Sequence, residues 1–282
     1  MGGGAQVGDA MGDGLNGSGR GEPTPAFGAV GGYVPCGCCG GFHAVYETGG
    51  EAPFAALNAD DRGGTGPNTK DSFTTDEAAA QLGRNNASWG PGLGQAASVT
   101  FAFRSVAPDT LPDDTSGFER FTDLQIGVTL QALQAWSDVA NLTFTRVNDG
   151  DGYSNNATLL FSNYSSGQTG SAAFAYLPGS AGVASNAGDV WINSELGYNA
   201  NPVLLGYGFQ VLTHEIGHAL GLSHPASYNA DEGVSITYSA DAGYYEDSRQ
   251  YTLMSYFSEF EHGRELQLRL RWPAICGRAD AG

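Results

Sequence analysis

The stretch THEIGHALGLSHP, Thr213 to Pro225, holds three of the chain's five histidines, with a glutamate directly after the first. His214 and His218 stand four residues apart, so on a helix both side chains project from one face, one turn apart. Gly221 follows and can take the left-handed conformation that ends a helix, turning the chain so that His224 approaches the same point from outside. Three neutral imidazoles around one centre suit zinc and leave a fourth coordination position for water, the pattern of a catalytic site and not of a closed structural one. Glu215 points about 100° round the helix from His214, beside the ion without being forced to coordinate it. From there a carboxylate can take a proton from water and pass it to a leaving amine. The implied chemistry is hydrolysis of a carbonyl compound, with a peptide bond as the first candidate. Val211, Leu212, Ile216, Ala219, Leu220 and Leu222 fill the other positions, which describes a buried helix carrying ligands on one side.

Composition narrows the partners. A formal net charge of -18 over 282 residues argues against a nucleic acid or an anionic membrane held by electrostatics. No apolar run approaches the roughly 18 to 20 residues of a membrane span, and the N-terminus lacks the basic-then-apolar layout of a secretory signal peptide. The four cysteines, Cys36, Cys38, Cys39 and Cys276, lie outside the patterned region, so no disulfide framework is expected in the core.

From residue 1 to about 70 the sequence is rich in Gly with Pro, Asp and Ser, shows no sustained period, and reads as a flexible leader. Its cluster CGCCGGFH, with His43, has ligand-type residues but matches no zinc spacing. Order is expected to begin at DSFTTDEAAAQL, where Thr74 and Glu77 fit a capping box. SVTFAFR alternates, with Val99, Phe101 and Phe103 on one face of a strand. A helix follows in FTDLQIGVTLQALQAWSDVA, with Thr122 and Gln125 at its start and Leu124, Val128, Ala132, Trp136 and Val139 at helical spacing. Strand candidates start at Leu142, Ala157, Ser171 and Asp189, and a helix is expected from about Pro202 to Leu220. This order predicts an α/β (α+β) fold, a twisted mixed sheet flanked by a long helix and by the helix that carries the histidines.

Taken with Met254 in YTLMSYFSE, the run HEIGHALGLSH resembles the metzincin zinc endopeptidases. The segments ASYNADEG, DSRQYTLMSY, SFTTDEAAAQL and AWSDVANLTFT narrow the resemblance to the serralysin type, over about Ser72 to Glu259. The resemblance implies His214, His218 and His224 as zinc ligands, Glu215 as general base, and Met254 as an apolar floor beneath the metal. It also implies that Tyr256 donates a hydrogen bond to the oxyanion, a role suited to a neutral phenol. The strand SAAFAYLP resembles the edge on which this family lays an extended peptide antiparallel to the sheet, through main-chain bonds that read little sequence. Protein or peptide substrates, one Zn2+, a monomer and an extracellular location follow as implications.

After Glu259 the resemblance ends. The family continues into a calcium-loaded β-roll, so Ca2+ is expected for the family, but its Gly- and Asp-rich repeats are absent here. FEHGRELQLRLRWPAICGRADAG is instead Arg-rich with alternating Leu266, Leu268 and Leu270, an expectation of a frameshifted or truncated tail. The expected division is therefore a leader (1–70), a metzincin-like catalytic domain (71–259) and an atypical tail (260–282). The alternative to a working endopeptidase is a catalytically inactive remnant that binds zinc or peptides, and Glu215 weighs against it, since metal binding alone does not need that carboxylate.

Overall fold

The computed structural model describes residues 6–9, 62–66, 68–179, 186–229, 234–258 and 261. The chain divides into one unit of residues 1–12 and 56–282 and a second of residues 13–55; everything described belongs to the first. The cysteine cluster with His43, and the Arg-rich tail beyond residue 261, lie outside the described residues.

The helices start where local chemistry tells them to. In α1 (Thr75–Leu82) the Thr74 side chain accepts from the Glu77 backbone N–H while the Glu77 carboxylate accepts from the Thr74 N–H. Thr122 and Gln125 make the same reciprocal box at the start of α2 (Asp123–Val139). Each box satisfies two amide donors that an uncapped helix would leave without partners, worth about 1 kcal/mol. Phase is another matter. The buried stripe of α2 is Gln125, Ile126, Val128, Thr129, Ala132 and Leu133, whereas Leu124 is 50% exposed and Val139 79% exposed. Leu124 falls off the edge of that stripe at 100° per residue, and Val139 is the last residue, beyond the contacts of its face.

Polar Gln125 belongs to the buried stripe because it has partners there. Its amide N–H bonds to Asn163 and to the Asn199 carbonyl, both at 3.0 Å, and its oxygen accepts from Asn163. This amide network ties α2 to β7 (Leu159–Tyr164) and to the short α3 (Gly197–Ala200), satisfying groups that would otherwise be costly to bury.

The main sheet has six strands in the order β1 (Gln6–Asp9), β9 (Ala173–Tyr176), β10 (Asp189–Asn193), β7, β4 (Ala97–Phe103) and β6 (Leu142–Arg146). The β10–β7, β7–β4 and β4–β6 pairs are parallel, and β9 runs antiparallel to both β10 and β1. Two small antiparallel pairs, β2 (Gly64–Thr65) with β3 (Asp71–Ser72) and β5 (Thr115–Ser116) with β8 (Ser166–Gly167), stand apart from it. Strands β1 and β2 fall within the stretch that the sequence reads as a leader, and because β1 pairs with the outer side of β9, the strand in SAAFAYLP is second in the sheet and not the edge that the resemblance implies. The mixed α/β architecture is the one expected.

Alternation along the strands separates two cores. Ala173, Ala175, Val190 and Ile192 join Val99, Phe101, Phe103, Leu159 and Phe161 beneath α2 and α4 (Tyr207–Ala219). On the opposite face Phe174, Tyr176 and Trp191 pack with Tyr164. The helix expected from Pro202 begins five residues later, at Tyr207: the Gly206 N–H bonds the Val203 carbonyl in a turn, and Leu205 sits at φ 62° and is 85% exposed. An apolar run lengthened the sequence pattern, but its side chains face outward. A last short helix, α5 (Tyr238–Asp241), precedes the loop that closes the site.

Between β4 and β10, Arg104 meets Asp189 at 2.5 Å, and its Nε donates to Ser162 Oγ at 3.2 Å. Burial pushes the Asp189 carboxyl up to about 7 from its ordinary 3.8, against the pull of the guanidinium. Folded chains then hold a proton that unfolded chains have released. This contribution is fully present below the unfolded value and is lost as pH rises through about 7. Urea stability is expected to fall over that window, and less so in Asp189→Asn; an identical slope in the variant counts against the assignment. Gly127 lies exposed in α2 with no atom within 4 Å of a Cβ placed on it. Gly127→Ala is expected to raise unfolding free energy by about 0.5–1 kcal/mol in the same titrations.

Candidate metal centre

α4 carries His214 and His218 one turn apart, and both are fully buried, as is Glu215 between them. The helix ends where the sequence places the break. Leu222 N–H bonds the Gly217 carbonyl at 2.9 Å and Gly221 N–H bonds the His218 carbonyl at 2.8 Å, a Schellman ending with Gly221 at φ +113°. Two requirements make that residue glycine. The conformation is one that L side chains avoid, and a Cβ there would collide with the Ala87 carbonyl.

Residues 82–85 then hold the returning chain. Ser223 N–H donates to the Leu82 carbonyl and Asn85 donates to Ser223 Oγ, each at 2.8 Å. Arg84 donates to the His224 carbonyl and, at 3.2 Å, to that of Ala226. His224 therefore arrives from outside the helix on a braced turn, itself 2% exposed.

The three Nε2 atoms converge. His214 and His218 approach to 3.0 Å, His218 and His224 to 3.0 Å, and His214 and His224 to 3.3 Å. Each Nδ1 faces a backbone carbonyl: Leu253 for His214 at 2.8 Å, Leu222 for His218 at 2.7 Å, Tyr228 for His224 at 2.8 Å. A carbonyl only accepts, so in the neutral rings the proton lies on Nδ1 and three Nε2 lone pairs point at one another. Such a set fits a cation at its centre. Tetrahedral zinc with Zn–N of about 2.0–2.1 Å places its nitrogens about 3.3 Å apart, close to the separations found. Among the described residues these three histidines form the group whose ligand atoms lie close enough together to hold a metal ion.

Met254 lies beneath the helix. It is 1% exposed, and a Cβ on Gly217 would meet its Sδ at 2.5 Å and the Trp136 ring at 3.0 Å. Gly217 thus lets sulfur and indole pack directly under the ligand helix. Two indoles also pin α4 by its carbonyls: Trp136 Nε1 donates to Thr213 at 2.9 Å and Trp89 Nε1 to Ala219 at 2.7 Å, the latter serving an acceptor at the open helix end.

The Tyr256 ring lies 4.5 Å from that of His224 and 6.3 Å from that of His214. The Tyr256 carbonyl accepts from Arg249 at 2.9 Å. Glu215 lies near enough to Tyr164 for its charge to help keep that phenol protonated, although burial is the larger cause.

Sequence spacing does not mark a further group of partners around His224. Tyr228 stacks on His224, ring centroids 5.3 Å apart at 18°, and supplies the carbonyl for its Nδ1. Its hydroxyl donates to Asp247 at 2.7 Å, and burial beside that carboxylate pushes the phenol's pKa upward, so it stays a donor. Ser255, next to both Met254 and Tyr256, donates to the same Asp247 oxygen at 2.7 Å. One buried carboxylate thereby couples His224 to the Met254 turn. The adjacent Glu246 holds the incoming chain, accepting from Ser72 Oγ at 2.6 Å and Phe73 N–H at 2.9 Å. The available signal was a Glu–Asp pair beside two tyrosines in a chain with only 15% charged residues.

Gly221→Ala is expected to displace His224, lowering zinc affinity about tenfold or more in a chelator competition while the sheet stays folded by circular dichroism. Unchanged affinity would show that the turn does not place the third ligand.

Residues 94–266 match the family described as metallo-peptidase family M12. Metallopeptidase AprA of Pseudomonas marginalis is 46% identical over 206 residues, covering 71% of this chain and 41% of AprA. Metalloprotease AprA of Pseudomonas entomophila is 44% identical over 209 residues, with coverages of 72% and 41%. Serralysin A of Dickeya chrysanthemi is 40% identical over 222 residues, with coverages of 77% and 44%. The chain spans roughly two fifths of the length of these curated relatives. With the match running through the three buried histidines and the Met254 turn, the chain belongs to metallo-peptidase family M12, as a serralysin-type metzincin catalytic domain.

Proposed function

We propose that this domain is a zinc-dependent endopeptidase that hydrolyses peptide bonds in extended or unfolded protein substrates. The observation that carries the reading is the convergence of three buried Nε2 atoms, each ring locked by an Nδ1 bond to a carbonyl, with Glu215 buried at the next helical position. His214, His218 and His224 would hold the ion. A bound zinc supplies Lewis acidity, polarising the scissile carbonyl and lowering the pKa of water towards about 7.

The chain's own groups do the rest. Glu215 takes the proton of the attacking water and returns it to the leaving amine, a task for a carboxylate beside the ligands and not among them. Tyr256, close to His224 and His214, donates its phenol O–H to the carbonyl oxygen as negative charge develops there. An extended substrate aligns along the outer edge of β9 by main-chain hydrogen bonds, which favours unfolded segments over particular sequences. β9 runs beneath α4, with Ala173 and Ala175 in the same core as Val211, Leu212 and Ile216, so a peptide on that strand lies alongside the ligand helix. Action outside the cell as a monomer belongs to the same proposal, on the strength of the family resemblance. No helix among the described residues is long and apolar enough to cross a membrane.

The test is cleavage of unfolded casein by the zinc-loaded chain and by Glu215→Ala, with zinc per molecule measured for both. Activity is expected to fall about 10²- to 10⁴-fold in the variant at unchanged zinc content. A strong zinc chelator should abolish activity in the parent, and re-addition of zinc should restore it. Equal cleavage by both proteins would remove Glu215 from its role; zinc held with no cleavage by the parent would support the inactive remnant.

A further inference from the structure

The outer edge of β9 already has an occupant. β1 lies on it antiparallel, Gln6 opposite Tyr176, Val7 opposite Ala175, Gly8 opposite Phe174 and Asp9 opposite Ala173. On its other side β9 is paired with β10 through Ala173, Phe174 and Ala175, so the outer edge is the one at which a further strand can add. Resting on the substrate alignment proposed above, we propose that Gln6–Asp9 is a built-in competitor for the peptide-binding edge of β9, and that substrate enters only when this segment leaves.

The argument is one of exclusion. A strand edge offers a single row of N–H and C=O groups, and two extended backbones cannot both pair with it. β9 has no freedom to provide a second row, because all four of its residues are buried, Ala173 and Ala175 against the helices and Phe174 and Tyr176 against the opposite core. The direction matters as well. β1 runs antiparallel to β9, the orientation in which an extended substrate is proposed to lie.

The pairing is also suited to release. The segment AQVGDAMG is small and Gly-containing, and Gly inside a strand weakens it by adding entropy to the unpaired state and no side chain to the paired one. As a separate peptide, a strand this weak holds the edge with only modest affinity, which a titration of the open edge can read. Being part of the same chain raises its effective concentration to the order of mM, enough for modest affinity to compete. The expected signature is a higher apparent KM for the intact chain with kcat unchanged, since competition reduces the fraction of free edges without altering the chemistry.

Three proteins test this, each carrying Glu215→Ala so that binding is read without turnover: the full chain, a form lacking residues 2–12, and the full chain with Val7→Pro and Gly8→Pro. The proline pair keeps the length but removes two N–H donors from the strand, and zinc content with circular dichroism verifies the fold of all three. The probe is a fluorescein-labelled peptide of residues 4–11, followed by anisotropy. Both altered forms are expected to bind it about tenfold or more tightly than the full chain. Equal affinity in all three overturns the proposal. Casein cleavage by the matching Glu215-containing forms separates it from the hydrolysis reading: a binding difference without cleavage defeats hydrolysis and supports the competitor, whereas cleavage with equal peptide binding and equal KM defeats the competitor alone.

Discussion

Three hydrogen bonds from imidazole Nδ1 to backbone carbonyls decide what the rest of the molecule must do. Each fixes a ring's tautomer and its direction, so that Nε2 is an acceptor aimed at the common centre. The carbonyls come from Leu222, just past the ligand helix, from Tyr228 further on, and from Leu253 beside the Met254 turn. A site assembled from three stretches of irregular backbone holds its geometry only if those stretches are themselves held. Arg84 and Asn85 brace the first, the Tyr228–Asp247 bond braces the second, and Ser255–Asp247 braces the third. Asp247 serves two of the three, and burial pushes its carboxyl upward in pKa, so its hydrogen bonds must offset a desolvation cost.

Close packing imposes the second condition. α4 must sit directly on sulfur and indole at one point and turn sharply against a carbonyl at another. Gly217 and Gly221 meet these needs for different reasons, the first by lacking volume beside Met254 and Trp136, the second by tolerating a positive φ against Ala87. The same helix is covered on its sheet side by β9, whose inward residues are both alanines, which lets α4 approach the strand without leaving a void.

Much of this was legible in the sequence, for reasons that differ by feature. The two capping boxes and the histidine spacing are local, set by residues three or four apart, and local geometry follows directly from such spacing. The start of α4 was misplaced because Val203, Leu204 and Leu205 continue an apolar pattern that hydrophobicity alone cannot distinguish from helix, while a positive φ at Leu205 ends it. The face of α2 was read from apolar residues, yet Gln125 and Thr129 belong to the buried stripe because each has a hydrogen-bond partner there. Asp247 was invisible for a related reason. The hydroxyls that donate to it lie 19 and 8 residues away in loops without period, so nothing in the spacing marks them. Strand order was unreadable too, and the place of β9 as the second strand of the sheet, between β1 and β10, emerges only from the pairing.

That position has an energetic consequence. β9 is anchored by side chains on both faces and by β10 along one side, so its conformation does not depend on what occupies the remaining side. Exchanging one extended backbone there for another replaces main-chain bonds of the same type and number, and the net difference is set by side chains and by the cost of ordering the incoming strand. Near-balance of this kind makes an edge responsive to concentration and tethering and nearly indifferent to sequence. The extended substrate proposed for this side of β9 would therefore compete with Gln6–Asp9 for one row of main-chain groups.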